Sequence, residues 1–166
     1  MFRTPVRARL RAAAVTLAVT GGLLATSAAV TAPSASASIV SYYSNAPAGS
    51  WNYKVNQVIY QAQHQLGKPY RYGAAGPSAF DCSGLVMWAF AQEGIALPHY
   101  TGAQWNMGMH VARADLEPGD LVFFGADISH VGIYIGDGLM VDAPNSGAVV
   151  RVEPLFSDYV GAVRIA

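Results

Sequence analysis

The sequence predicts an α+β domain. Apolar residues at helical spacing occupy the stretch between residues 52 and 92, and after residue 119 the chain breaks into short β-rich runs separated by Gly, Asp and Pro. Helices first and an antiparallel meander second is the α+β order. Charged residues make up 12% and apolar residues 52% of the 166 positions, which suits a packed core and excludes a disordered or charge-rich coiled-coil chain.

The first helix is expected from about residue 52 to 66, where Val55, Val58, Ile59, Ala62 and Leu66 recur at three- and four-residue spacing; Gly67 and Pro69 stop it. Residues 70–77 are punctuated by Gly and Pro and read as a loop. Phe80-Asp81-Cys82-Ser83-Gly84 then opens a second apolar helix, running through 85–92 and closed at Gly94. Asp81 is a natural N-cap, which sets Cys82 in the first turn. A loop with Leu97-Pro98 and a segment of Gln, Trp and Met lead to five expected strands, 120–124, 130–135, 139–142, 149–152 and 162–165. No internal repeat or low-complexity block interrupts this order.

The first 37 residues read differently. Arg3, Arg7, Arg9 and Arg11 stand without an acid, residues 12–30 are small and apolar, and Ala35-Ser36-Ala37 forms an A-x-A site. That is the three-part pattern of a secretory signal peptide at 1–37, with cleavage between Ala37 and Ser38. A permanent membrane anchor is the competing reading. Thr, Ser and the Gly21-Gly22 pair interrupt the apolar run and no stop-transfer flank follows, so cleavage is favoured and no membrane association is expected afterwards. Residues 38–52 form an N-terminal arm or linker. Removing the four signal arginines leaves six Lys plus Arg against ten Asp plus Glu, a net charge of −4. An acidic body argues against nucleic acid as a partner.

A single cysteine, Cys82, excludes an internal disulfide framework and a Cys-pair zinc ribbon. At a helix N-terminus the free amides and the helix dipole stabilise a thiolate, whereas the adjacent Asp81 carboxylate opposes it. A nearby imidazolium would have to outweigh that. Position alone fits a small core residue equally well. Among the histidines, His64 stands between glutamines and reads as solvated, His110 falls in a loop without an evident partner, and His99 follows Leu97-Pro98 as a candidate. His130 opens a strand, where rigid backbone aims a side chain. Gly136-Asp137-Gly138 reads as a three-residue hairpin loop with the last glycine left-handed, setting Ile135 opposite Leu139 and Gly132 opposite Asp142. In that register His130 and Asp142 are diagonal neighbours on one face. Asp142 would accept from Nδ1 of His130 and leave Nε2 toward the thiol. A one-residue slip would break the arrangement. No H-E-x-x-H motif and no close ligand pair occurs, so no metal and no cofactor is expected.

In order along the chain stand Gly67-Lys68-Pro69-Tyr70-Arg71-Tyr72-Gly73, Phe80-Asp81-Cys82-Ser83-Gly84-Leu85-Val86, Leu97-Pro98, Gln104, Leu116-Glu117-Pro118-Gly119-Asp120-Leu121-Val122-Phe123-Phe124, His130-Val131-Gly132-Ile133-Tyr134-Ile135-Gly136 and Ala143-Pro144-Asn145-Ser146-Gly147. Together they resemble the NlpC/P60 family of secreted cell-wall cysteine peptidases, over a catalytic domain at 53–166. The resemblance implies a papain-like core, with N-terminal helices packed on a five- to six-stranded antiparallel sheet. It implies hydrolysis of peptidoglycan stem peptides, typically between D-γ-glutamate and a diamino acid such as meso-diaminopimelate. Cys82 then aligns with the nucleophile and His130 with the base. The third polar position, commonly histidine, falls on Asp142, which can orient and charge-stabilise the imidazole. Tyr70 matches a tyrosine that reaches the cysteine, and Asp81, Ser83 and Thr101 match positions that hold the free amino end of the stem peptide. His99 stands where arginine is frequent and Ala74 where a second glycine is common. A monomer acting on stem peptides, secreted to the cell wall, is the resulting expectation. A catalytically silent wall-binding or surface interaction module, and an amidase or acyltransferase using the same thiol chemistry, are the alternatives.

Overall fold

The first described helix, α1 (Trp51–Gln63), begins inside the stretch read as an arm and buries Val55, Val58, Ile59 and Ala62. The structure is a computed structural model describing residues 51–165; the expected leader at 1–37 and the arm before residue 51 lie outside the described residues. Leu66 was expected on the apolar face of α1 but is exposed. The helix ends at Gln63, and the turn that closes at Gly67, with φ of 82°, carries Leu66 off that face.

Helix α2 (Cys82–Ala91) begins at the cysteine, capped by Asp81, and buries Leu85, Val86, Ala89 and Phe90. A four-residue helix α3 (Thr101–Gln104) and strand β1 (Met109–Val111) follow in the Gln, Trp and Met segment, where no element was anticipated. His110 therefore sits on a strand, opposite Val163 and against the Trp105 ring, rather than in a loop. Met109 and His110 are exposed and Val111 is half-buried, so hydrophobic alternation gave no signal for β1.

The remaining strands are β2 (Leu121–Phe124), β3 (His130–Gly136), β4 (Leu139–Asp142), β5 (Arg151–Pro154) and β6 (Tyr159–Arg164). They form one six-stranded antiparallel sheet in the order β1-β6-β2-β3-β4-β5. The meander holds for β2 to β5; β6 then crosses back to pair with β2 and receives β1 on its far side. Strand β5 begins two residues later than expected, because Val149 pairs with Pro69 and the Val150 amide donates to Lys68 O at 2.8 Å, binding that stretch to the loop after α1.

The β3–β4 turn corrects a detail of the hairpin. Asp137 and Gly138 both have positive φ, 53° and 73°, so the turn is two residues long, and Gly136 rather than Ile135 faces Leu139. A bulge between Tyr134 and Gly136 absorbs the difference, and Ile133 still faces Val141. The expected pairing of Gly132 with Asp142 continues that register. A Cβ built on Gly132 would lie 3.3 Å from Asp142 Cβ and 2.7 Å from Met140 Sδ, so the absence of a side chain at 132 leaves room for both.

One sheet face presents Leu121, Phe123, Val131, Ile133, Val141 and Val163 to the helices, where they join Val58, Leu85, Val86 and Phe90 in the main core. Each fully buried Leu, Ile or Phe contributes about 1.5–3 kcal/mol. Val122, Phe124, Met140 and Ala162 make a smaller cluster on the other face, with Phe156 and Tyr159 packed against it. Buried Asp120 is held by Arg164, which donates from Nε at 2.7 Å and from Nη2 at 2.9 Å, pinning the end of β6 to the start of β2. Among the described residues no helix is long and apolar enough to cross a membrane.

Candidate active site

The site is assembled where the start of α2 meets the start of β3. Asp81 Oδ1 accepts from the Gly84 amide at 2.7 Å, the capping bond that satisfies a first-turn donor. Its other oxygen accepts from the Gly73 amide at 2.7 Å, tying the loop after Tyr70 to the helix. Ser83 Oγ donates to Oδ1 at 3.3 Å, and His99 Nε2 lies 2.8 Å from the same oxygen. A Cβ on Gly84 would fall 2.2 Å from Ala74 O and 2.9 Å from both Asp81 Oδ1 and His99 Nε2. Glycine at 84 is therefore a steric requirement of this junction.

These bonds occupy the Asp81 and Gly84 amides, since Asp81 N also donates to Ala74 O at 2.8 Å. Among the hydrogen bonds of the described residues, none uses the amides of Cys82 or Ser83. They are the first-turn donors still available to an incoming oxygen.

His130 Nε2 donates to Asp142 Oδ2 at 2.7 Å, and Cys82 stands near enough to the ring to raise its pKa. The bond to Asp142 expected from Nδ1 is thus made by Nε2. Diagonal neighbours across a sheet lie about 7–8 Å apart, and the nitrogen farther from the backbone is the one that spans the gap. Phe124 and Phe156 flank the imidazole at ring separations of 5.8 and 5.4 Å. Burial lowers the His130 pKa, but the hydrogen bonds and charges of Asp142 and Cys82 outweigh it and raise the group from 6.5 to about 9. Burial raises the Asp142 pKa; the bond from His130 opposes that rise and nearby Glu153 adds to it.

Cys82 opens onto a cleft of about 360 Å³ whose walls include Tyr70, Tyr72, Asp81, Ser83, His99, Thr101 and Ile128. All four residues expected to bind substrate, Tyr70, Asp81, Ser83 and Thr101, line it, whereas His130 and Asp142 lie outside its lining. The Tyr70 phenol, which lines the same cleft as Cys82, has its pKa raised by burial and by the charges of Cys82, Asp81 and Tyr72.

The structure gives several residues here partners or conformations that the sequence reading did not. His99 stands apart from His130 and is paired with Asp81; its place after Leu97-Pro98 hinted at the groove but not at the partner. Gln104, fully buried, donates from Nε2 to Ser83 O at 2.9 Å and to Pro98 O at 2.8 Å, joining α3 to the first turn of α2. Ile128 holds φ of 56°, a strained value for a β-branched residue, in the wall that leads into His130. His64 is exposed, as expected, with Nδ1 2.9 Å from Tyr60 O. Among the described residues no three His, Cys, Asp or Glu side chains are grouped to hold a metal ion.

A model of the NlpC/P60 family matches residues 67–165. A probable endopeptidase of Mycobacterium tuberculosis is 56% identical over 100 residues, 60% of this chain and 26% of the relative. The peptidoglycan endopeptidase RipA of the same organism is 42% identical over 134 residues, 67% of this chain and 28% of the relative. The chain thus spans about a quarter of the length of these curated relatives. Among solved structures, the peptidoglycan hydrolase RipB of M. tuberculosis superimposes with a TM-score of 0.66 at 35% identity, covering 74% of this chain and 70% of RipB. RipD of M. tuberculosis, a non-catalytic NlpC/p60 domain protein adapted to peptidoglycan binding, gives 0.62 at 28% identity, covering 68% of this chain and 98% of RipD.

Proposed function

The chain belongs to the NlpC/P60 family, and on that premise we propose that it is a peptidoglycan hydrolase, exported by a signal peptide at 1–37, that cleaves stem peptides with Cys82 as nucleophile. The observation that carries the reading is His130, bonded to buried Asp142 at 2.7 Å and with its pKa raised by Asp142 and by Cys82, a thiol at a helix N-terminus. A positive neighbour and a helix dipole together favour the nucleophilic thiolate.

Cys82 Sγ attacks the scissile carbonyl, and the amides of Cys82 and Ser83 receive the developing oxyanion. The tetrahedral intermediate collapses as His130 gives its proton to the departing amine, leaving a thioester on Cys82. Neutral His130 then takes a proton from water, whose oxygen attacks the thioester; the acyl product leaves as a carboxylic acid and Cys82 is regenerated beside the imidazolium. Asp142 keeps the ring in place throughout. Asp81, Ser83 and Thr101 bind the free amino end of the stem peptide, the Asp81 carboxylate supplying the negative charge, and Tyr70 contacts the substrate beside Cys82. The bond cleaved is that between D-γ-glutamate and the diamino acid, meso-diaminopimelate.

Mass spectrometry of muropeptides after incubation with wild type and with Cys82→Ala tests this. Wild type should release fragments ending at D-glutamate and the variant none. Fragments ending elsewhere would redirect the bond assignment to an amidase or another endopeptidase. Equal products from the variant would remove Cys82 from the chemistry. The likeness to RipD favours one second reading, wall binding without cleavage: both proteins would then bind peptidoglycan and neither release fragments.

A further inference from the structure

We infer that Gln104 is a positioning residue for the oxyanion donors: its side-chain amide closes a ring of hydrogen bonds that fixes the first turn of α2 and so aims the free amides of Cys82 and Ser83. The inference rests on the reading of Cys82 as the nucleophile and of those two amides as the oxyanion site.

The peptide unit between Ser83 and Gly84 is held at both of its polar ends. Its carbonyl, Ser83 O, accepts from Gln104 Nε2 at 2.9 Å, and its N–H, on Gly84, donates to Asp81 Oδ1 at 2.7 Å. The preceding peptide unit carries the unused Ser83 amide, and the two planes meet at the Ser83 Cα. With one rigid plane clamped and Ser83 in helical geometry, the direction of the Ser83 N–H is set. Gln104 Nε2 gives its second proton to Pro98 O at 2.8 Å, and the next residue, His99, returns to Asp81 Oδ1 at 2.8 Å. The circuit therefore runs from Asp81 through Gly84 and Ser83 to Gln104, on to Pro98 and His99, and back to Asp81. It joins α3, the segment before it and the start of α2 around the cysteine.

Gln104 is fully buried and stands outside the lining of the cleft, so it acts through the backbone and not on the substrate. Both Nε2 protons are used, while Oε1 is buried without a donor among the described residues. An unpaired buried acceptor opposes the stability gained from the two bonds. What those bonds achieve is geometric: one planar amide ties together two backbone carbonyls from separate segments. Oxyanion donors need such support, because they act only when aimed at the place the oxygen reaches in the transition state.

Two reactions of the same sulfur separate the donors from the nucleophile. Peptide cleavage passes through an oxyanion; alkylation by iodoacetamide, in which the sulfur displaces iodide, does not. The test measures both on the purified chain and on Gln104→Met, which fills a similar volume without donors. Methionine should lower kcat for stem-peptide cleavage by at least about tenfold with KM within about twofold, and should leave the rate of Cys82 alkylation within about twofold of wild type. Gln104→Asn, whose amide on a shorter stem cannot span both carbonyls, should show the same split and replaces the methionine variant if that one does not fold. Wild-type kcat in a folded variant would overturn the inference. So would an equal fall in cleavage and alkylation, which would mean that the cysteine itself had been displaced. A wild-type chain that is alkylated but releases no stem-peptide fragments would instead defeat the hydrolase reading, and this inference with it.

Discussion

His130 meets Asp142 through Nε2, the ring nitrogen farthest from its own backbone, at 2.7 Å, while Cys82 acts on the same ring strongly enough to raise its pKa. One imidazole thereby links a strand carboxylate to a helix-terminal thiol. Its raised pKa follows from Asp142 and Cys82, whose hydrogen bonding and charge favour the doubly protonated ring against the opposing effect of burial.

Asp142→Asn removes the charge but keeps an acceptor for Nε2. The His130 midpoint should fall from about 9 toward its ordinary 6.5. The alkaline limb of Cys82 alkylation should move to lower pH with it, by one pH or more on the strength of a lost adjacent charge. An NMR titration of the imidazole reads the shift directly, and an unchanged midpoint would show that Asp142 does not hold the ring's charge.

The same pKa sets a stability window. Because the folded value is raised, the protonated ring stabilises the native state fully below about pH 6.5, and that contribution is lost as pH rises through about 9. Its ceiling is about 3 kcal/mol. Urea unfolding of wild type and His130→Gln from pH 5 to 10 should give a stability difference that is flat at the acid end and shrinks across that window.

Gly84→Ala places a methyl group 2.2 Å from Ala74 O. The loop carrying Gly73 and Ala74 must move away from α2, and Asp81 loses the geometry of its bonds to Gly73 and Gly84. A loss of about 1–3 kcal/mol in stability is expected, together with a fall in cleavage of at least tenfold as the cysteine is displaced. Thermal melts and muropeptide release measure the two separately.

Arg164→Ala leaves the Asp120 carboxylate buried without its cation. Breaking such a pair costs about 3 kcal/mol, and the effect belongs to the sheet rather than to the cleft, since Arg164 joins β6 to the start of β2. Urea midpoints should drop while Cys82 alkylation of the remaining folded protein stays at the wild-type rate.

What the sequence by itself determined is everything carried by local pattern. The spacing of Val55, Val58, Ile59 and Ala62 is enough to make a helix with one buried face, and Asp81 before an apolar run is enough to cap α2 and set Cys82 at its start. Strand alternation with a Gly-Asp-Gly turn aligned Gly132 with Asp142 even though the turn itself is one residue shorter than it read, because the bulge beside Gly136 takes up the slack. Tertiary structure alone decided which nitrogen of His130 faces the acid, that His99 pairs with Asp81, and that β6 returns to β2. Each of these depends on side chains from elements distant in sequence converging in three dimensions. A diagonal reach across strands leaves no periodicity in the chain; it arises from distance, burial and the acceptors already taken, which exist only once the sheet has closed against its helices.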